Sequence, residues 1–167
     1  MSIITFIRGK LSNDLYIQVW ENRLKISSIQ SKEVYDQEPL MAIETKSNGE
    51  KLVFDIGSSC KNLDHRKYKI VNPFSHPRVL LGDFYVAEKI VQHAVKEIHK
   101  NRYIAPAPRV IFQPMEKTEG GLSAVEERAF RELCMGAGAR EVLIYLGDEL
   151  SLYNLDFNTI KQEQLTN

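Results

Sequence analysis

The sequence predicts an α/β domain: three antiparallel strands, then helix, strand, helix, strand, with a small β-rich insertion before the first long helix. Three observations predict it. Two short alternating runs near the start read as a hairpin, two later stretches carry a 3.6-residue apolar period, and a short apolar run follows each of those stretches.

Leu15 to Trp20 (LYIQVW) alternates apolar and polar residues, the period of a half-buried strand. Glu21-Asn22 is a turn, and Arg23 to Ile29 alternates again through Leu24 and Ile26. Pro39 interrupts the chain, and Leu40 to Ile43 reads as the third strand. Asn48-Gly49 favours a tight hairpin turn, with Lys51 to Ile56 as the returning strand. Asp64 to Lys69 reads as a charged connector, running into a loop marked by Pro73 and Pro77.

Asp83 is the expected N-cap of a helix reaching about Asn101, with Phe84, Ala87, Ile90, Val91, Ala94, Val95 and Ile98 on one face. Pro106 and Pro108 stop it from running on. Arg109 to Phe112 is a short buried strand. Ser123 and Glu126 form a capping box for a second helix, whose buried stripe is Val125, Ala129, Phe130 and Leu133. Gly136 and Gly138 end it, and Glu141 to Leu146 is the last strand. The stretch from Ser151 to Asn167 has weak periodicity and is expected to be partly disordered. The final βαβ unit should be right-handed with neighbouring parallel strands. Three antiparallel strands followed by βαβ is the ribonuclease-H-like core of actin-like ATPases.

Composition narrows the function. The 167 residues carry 22 Lys+Arg and 22 Asp+Glu, a net charge of zero. Nucleic-acid binding draws most of its affinity from basic charge, so no nucleic-acid partner is expected. Two cysteines, Cys60 and Cys134, support neither a disulfide framework nor a zinc site and suit a reducing cytoplasm. His93 and His99 are six apart on different helix faces, so no metal pair arises. Glu126-Glu127 belongs to a helix first turn, where acids favour the helix dipole. Gly120-Gly121 lacks the Lys-Ser/Thr of a P-loop. Met1 to Leu11 places Ile3, Ile4, Ile7 and Leu11 on one helical face with Phe6 at its edge. That pattern suits an amphipathic arm lying on a membrane, or alternatively a terminal strand docked on the core.

Several segments resemble the bacterial actin MreB family. They are Ser12-Asn13-Asp14-Leu15; Glu38-Pro39 with Ala42-Ile43; Asp83-Phe84 with Ala87-Glu88-Lys89; Val125-Glu126 with Arg128-Ala129; and the run from Gly136 to Val142. The resemblance covers residues 12–149, the first half of a bacterial actin (subdomains IA and IB). It implies an arm at 1–11, an actin-like domain I at 12–150 with its insertion at about 40–72, and a tail at 151–167. The family's second half, with its adenosine pocket, has no counterpart in this sequence.

The family's first hairpin carries an Asp-Leu-Gly-Thr motif that approaches the ATP phosphates and metal. The equivalent stretch here is Gln18, Val19, Trp20, Glu21 and Asn22, with Gln18 for the acid and Trp20 for the glycine. Glu21 adds a charge that costs roughly 1–4 kcal/mol at about 4 Å from a phosphate. The family's Glu-Glu-Pro motif, which orients the attacking water, aligns with Leu146 and Gly147. The resemblance with these departures implies no catalytic residue, no nucleotide site, no metal and no cofactor. It implies a non-catalytic pseudo-ATPase of the cell-shape cytoskeleton, cytoplasmic or at the inner face of the cell membrane. Its partner would be full-length MreB or another cytoskeletal protein, with membrane contact through Ile3, Ile4, Phe6, Ile7 and Leu11. The alternative is one half of a split actin-like ATPase, which would need ATP, magnesium and a second chain.

Overall fold

The computed structural model describes residues 13–100 and 106–166; the arm Met1 to Leu11 lies outside them. The chain order is β1 (Asp14–Trp20), β2 (Arg23–Ser28), β3 (Val34–Gln37), β4 (Met41–Thr45), β5 (Lys51–Ile56), a 3₁₀ turn (Ser58–Asn62) and β6 (Tyr68–Val71). There follow α1 (Phe84–His99), β7 (Arg109–Pro114), α2 (Ala124–Gly136), β8 (Glu141–Ile144) and α3 (Phe157–Thr166).

Five strands form the main sheet in the order β3-β2-β1-β7-β8, and three form a smaller sheet in the order β5-β4-β6. β2 runs antiparallel to both β1 and β3, while β7 runs parallel to both β1 and β8. This is the expected α/β architecture with its inserted β subdomain. The third core strand differs from expectation. It is Val34–Gln37, whereas Met41–Thr45 is the centre of the smaller sheet, hydrogen-bonded on both sides. β3 carries Asp36 and Gln37 at a largely exposed edge, so it shows no alternation. The expected charged connector also yields a strand, since Tyr68–Val71 pairs with β4.

Both helix starts follow their caps. Asp83 accepts from the Val86 amide at 3.1 Å. Ser123 and Glu126 exchange both bonds of the capping box. The apolar stripe of α1 lies on the main core with Leu15, Ile17, Val19, Val110, Phe112 and Phe130, but Phe84 is exposed and Val86 is buried instead; on α2, Val125 is likewise exposed and Cys134 is buried. The Phe112 and Phe130 rings stack with centroids 4.8 Å apart.

The opposite sheet face is covered as well. Phe157 and Ile160 of α3 bury against Tyr16, Ile29 and Ile111. The tail therefore contains a helix where disorder was expected. β1 is accordingly buried from Asp14 through Val19 instead of being half exposed. The β8 edge is blunted, because Val142 O accepts from Arg131 and Ile144 O accepts from Gln164. Capping edge carbonyls in this way discourages strand addition.

Burial also sets a pH limit. The Tyr16 phenol is 1% exposed, and desolvation pushes it from 10.0 up to about 12. Tyr35 is likewise pushed up to about 12 by burial. The unfolded chain ionises these phenols near 10, so their contribution to stability is complete below pH 10 and is lost as pH rises through about 12. An alkaline absorbance titration should show Tyr16 and Tyr35 ionising only as the fold is lost, and Tyr16→Phe should remove one of these late phenols. Seven phenols titrating together on an intact fold would refute the shift.

Candidate functional site

The site to test lies at the carboxyl ends of β1, β7 and β8, where the first hairpin meets the loops that follow β7 and β8. A two-residue turn, Glu21-Asn22, joins Trp20 to Arg23. Trp20 is half-buried, with the Arg23 guanidinium 5.0 Å from its ring centroid. Arg23 makes a bidentate bond to Asp36 at 2.8 and 2.5 Å, and this bond holds the Asp36 carboxyl below its ordinary range.

Gln18 is 1% exposed. Its amide donates to Glu149 Oε1 at 3.0 Å and lies 3.8 Å from Met115 Sδ. Glu149 also faces Lys25 at 3.8 Å. Gln113 sits one strand away, equally buried, and donates to Gly147 O at 2.7 Å. It accepts from the Tyr16 hydroxyl, which in turn accepts from the Leu150 amide at 3.1 Å. A buried amide left unpaired would cost about 1–3 kcal/mol. Gln18 and Gln113 avoid this by binding residues 147–149 of the loop after β8.

That loop contains Leu146 and Gly147, the two positions expected from the sequence to correspond to the family's water-orienting motif. Leu146 is 46% exposed and offers no acid, and the Gly147 carbonyl is held by Gln113. A Cβ on Gly147 would stand 2.6 Å from the Tyr145 hydroxyl, so the phenol packs where a side chain would be.

The turn itself carries an internal anion. The Glu21 amide donates to Glu116 Oε2 at 2.6 Å, and the Glu21 carboxylate pairs with Lys117 Nζ at 3.0 Å. The N-terminus of α2 carries another, since the Ser123 amide donates to Glu126 Oε2 at 2.9 Å. Hairpin amides and helix N-termini are where a fold of this kind can hold phosphate. Here both donors are bonded to the chain's own carboxylates. A phosphate at the turn would have to displace Glu116 while facing Glu21.

Other candidates resolve structurally. Glu127 pairs with Arg131 at 2.8 Å, His93 packs edge-on against Tyr35, and His99 bonds Asn13. Cys134 is buried, and desolvation pushes its thiol well up, away from a reactive thiolate. Among the described residues no group of three or more His, Cys, Asp or Glu could hold a metal ion. No helix among them is long and apolar enough to cross a membrane.

Sequence reasoning placed Gln18 and Glu21 on the first hairpin and weighed Glu149 as a substitute acid, but missed Tyr16, Gln113, Glu116 and Lys117. Gln113 carried a signal, a lone amide inside the apolar run RVIFQP. The others depend on loops that fold back from far along the chain.

Comparison with known proteins matches this architecture. The MreB/Mbl protein family pattern covers residues 21–150. The cell shape-determining protein MreB of Escherichia coli K12 is 32% identical over 142 residues, 82% of this chain but 39% of that protein. The ADP-bound MreB5 of Spiroplasma citri superposes with a TM-score of 0.58 at 17% identity, covering 79% of this chain and 38% of that one. A non-polymerising MamK mutant bound to AMPPNP gives 0.59 at 11% identity, covering 80% and 41%. These superpositions establish the actin-like fold, and the chain spans about two fifths of each protein's length.

Proposed function

The chain belongs to the MreB/Mbl family, and from that premise we propose that it is a non-catalytic, MreB-like half-actin that binds a bacterial actin and restrains its filaments. The observation that carries this reading is the turn Glu21-Asn22. Its amide is taken by Glu116, and its carboxylate is paired with Lys117. Binding ATP there would mean breaking a charge-assisted hydrogen bond and placing like charges together.

The restraining role follows from symmetry. A head-to-tail filament grows only if each subunit presents both of two different surfaces. A chain matching two fifths of a filament-forming relative can present part of each. A longitudinal contact in the usual range of about 1,200–2,000 Å² would fall toward the weak or transient class if half were removed. The chain would then dock on a growing filament without extending it. In this reading the apolar arm Ile3, Ile4, Phe6, Ile7 and Leu11 supplies contact with the inner face of the membrane.

Two measurements test it. Substoichiometric addition to polymerising full-length MreB should lower the rate or the plateau of light scattering, and the chain alone should give no scattering rise. An unchanged trace at equimolar ratio, with no capture in a pull-down, would remove the restraining role. Titration calorimetry with ATP and magnesium should show no binding at millimolar nucleotide. Micromolar affinity would instead favour one half of a split ATPase.

A further inference from the structure

The small sheet joins the main sheet through two connectors, residues 38–40 and 72–83. The first is fastened by Ser58, whose hydroxyl accepts from the Glu38 amide at 2.9 Å, and by Lys61 against Glu38 at 2.5 Å. The second is fastened by residues of the first hairpin and of the loop after β7. Asn72 Nδ2 donates to Glu21 O at 2.8 Å, while Asn72 Oδ1 accepts from the Phe74 amide at 2.9 Å. Lys117 Nζ reaches three acceptors: His76 O at 2.6 Å, Glu21 Oε2 at 3.0 Å and Phe74 O at 3.5 Å. Glu116 holds the Glu21 amide.

We infer that Glu116, Lys117 and Asn72 form an intramolecular clasp that fixes the small sheet against the main sheet without a ligand, with a carboxylate and an ammonium of the chain closing the hairpin. The inference deepens the non-catalytic reading, since the clasp replaces an external anion at the turn.

Three independent features support it. The cluster joins the hairpin, the exit from the small sheet and the loop after β7; the hairpin and that loop also meet where the Met115 amide donates to Val19 O at 2.8 Å, while Asn72 and Lys117 tie the small-sheet exit to both. An ammonium has three donors, and Lys117 is given three acceptors at 19% side-chain exposure. Lys117 also adopts φ 58°, a left-handed conformation that is strained for a side chain with a Cβ. Strain of this kind persists where the surroundings over-determine it. A glycine would relieve it but would lose all three bonds.

The test uses the full chain. Amide-resolved hydrogen exchange should show the Glu21 amide exchanging at least tenfold faster in Glu116→Ala, with the Ile17 amide of β1 unchanged as evidence of an intact fold. Spin labels at the exposed positions Asn48→Cys and Arg128→Cys report the small sheet against the main domain. Their distance distribution should be narrow in the parent and at least twofold wider in Lys117→Gly. Unchanged Glu21 exchange in Glu116→Ala, or an unchanged distribution width in Lys117→Gly, would overturn the clasp. ATP binding in the calorimeter bears on the non-catalytic reading alone, so the two ideas fail separately.

Discussion

Asp14→Ala should cost about 3–5 kcal/mol of stability, close to unfolding a domain whose total is roughly 5–15 kcal/mol. Asp14 is 2% exposed at the start of β1. Arg109 grips both of its carboxylate oxygens, Nε at 2.7 Å and Nη2 at 2.8 Å, from the start of the neighbouring parallel strand. Gln30 adds a donor to Oδ2 at 2.9 Å. Removing the carboxylate leaves the guanidinium, 14% exposed, without its counter-charge. The pair is expensive to break but not valuable as such, because a buried ion pair spends most of its Coulomb energy on desolvation. Asp14→Leu with Arg109→Met should therefore lose less than Asp14→Ala alone. Urea unfolding midpoints of the three proteins decide the point, and a loss below about 1 kcal/mol in Asp14→Ala would show that the pair is solvated.

Phe157→Ala should cost about 3–5 kcal/mol, the range for deleting a buried aromatic. Phe157 is 1% exposed and is the largest α3 side chain on the second core, with Tyr16, Ile111 and Ile160 around it. The Arg109 guanidinium lies 4.4 Å from its ring centroid, and Arg109 also bonds Asn158 at 2.8 Å. The residue therefore closes a small core and steadies the arginine that holds Asp14. Because Phe157 and Asp14 share Arg109, the double variant should depart from additivity by 0.5 kcal/mol or more. Phe157→Ala should also let Tyr16 ionise at lower pH, since its phenol is held up by desolvation. Unfolding midpoints unchanged by Phe157→Ala would mean that α3 does not cover the sheet in solution.

Phe157 lies where the sequence was least legible. It sits on a ten-residue helix whose buried residues, among those described, are Phe157 and Ile160, too few to make a period. α1 was legible because six of the seven positions expected on its apolar face, all but Phe84, are buried at helical spacing behind an Asp cap. α2 was legible through its capping box. β3 escaped notice because a four-residue edge strand needs only one partner and one buried face, and leaves its polar residues in water.

The candidate site divides the same way. Which residue types stand on the first hairpin and after β8 is a property of the chain itself. Gln18, Trp20 and Glu21, with Leu146 and Gly147, could be set against the family pattern without coordinates, and that likeness also identified the family. What those residues do was decided only by the fold. Gln18 meets Glu149 across 131 positions, and the Glu21 amide meets Glu116 across 95. Helical periods, caps and turns are local interactions encoded within a few neighbours. The partners of a buried amide or a turn N–H are chosen by whichever loop the packed sheet brings alongside, and no local pattern records that choice.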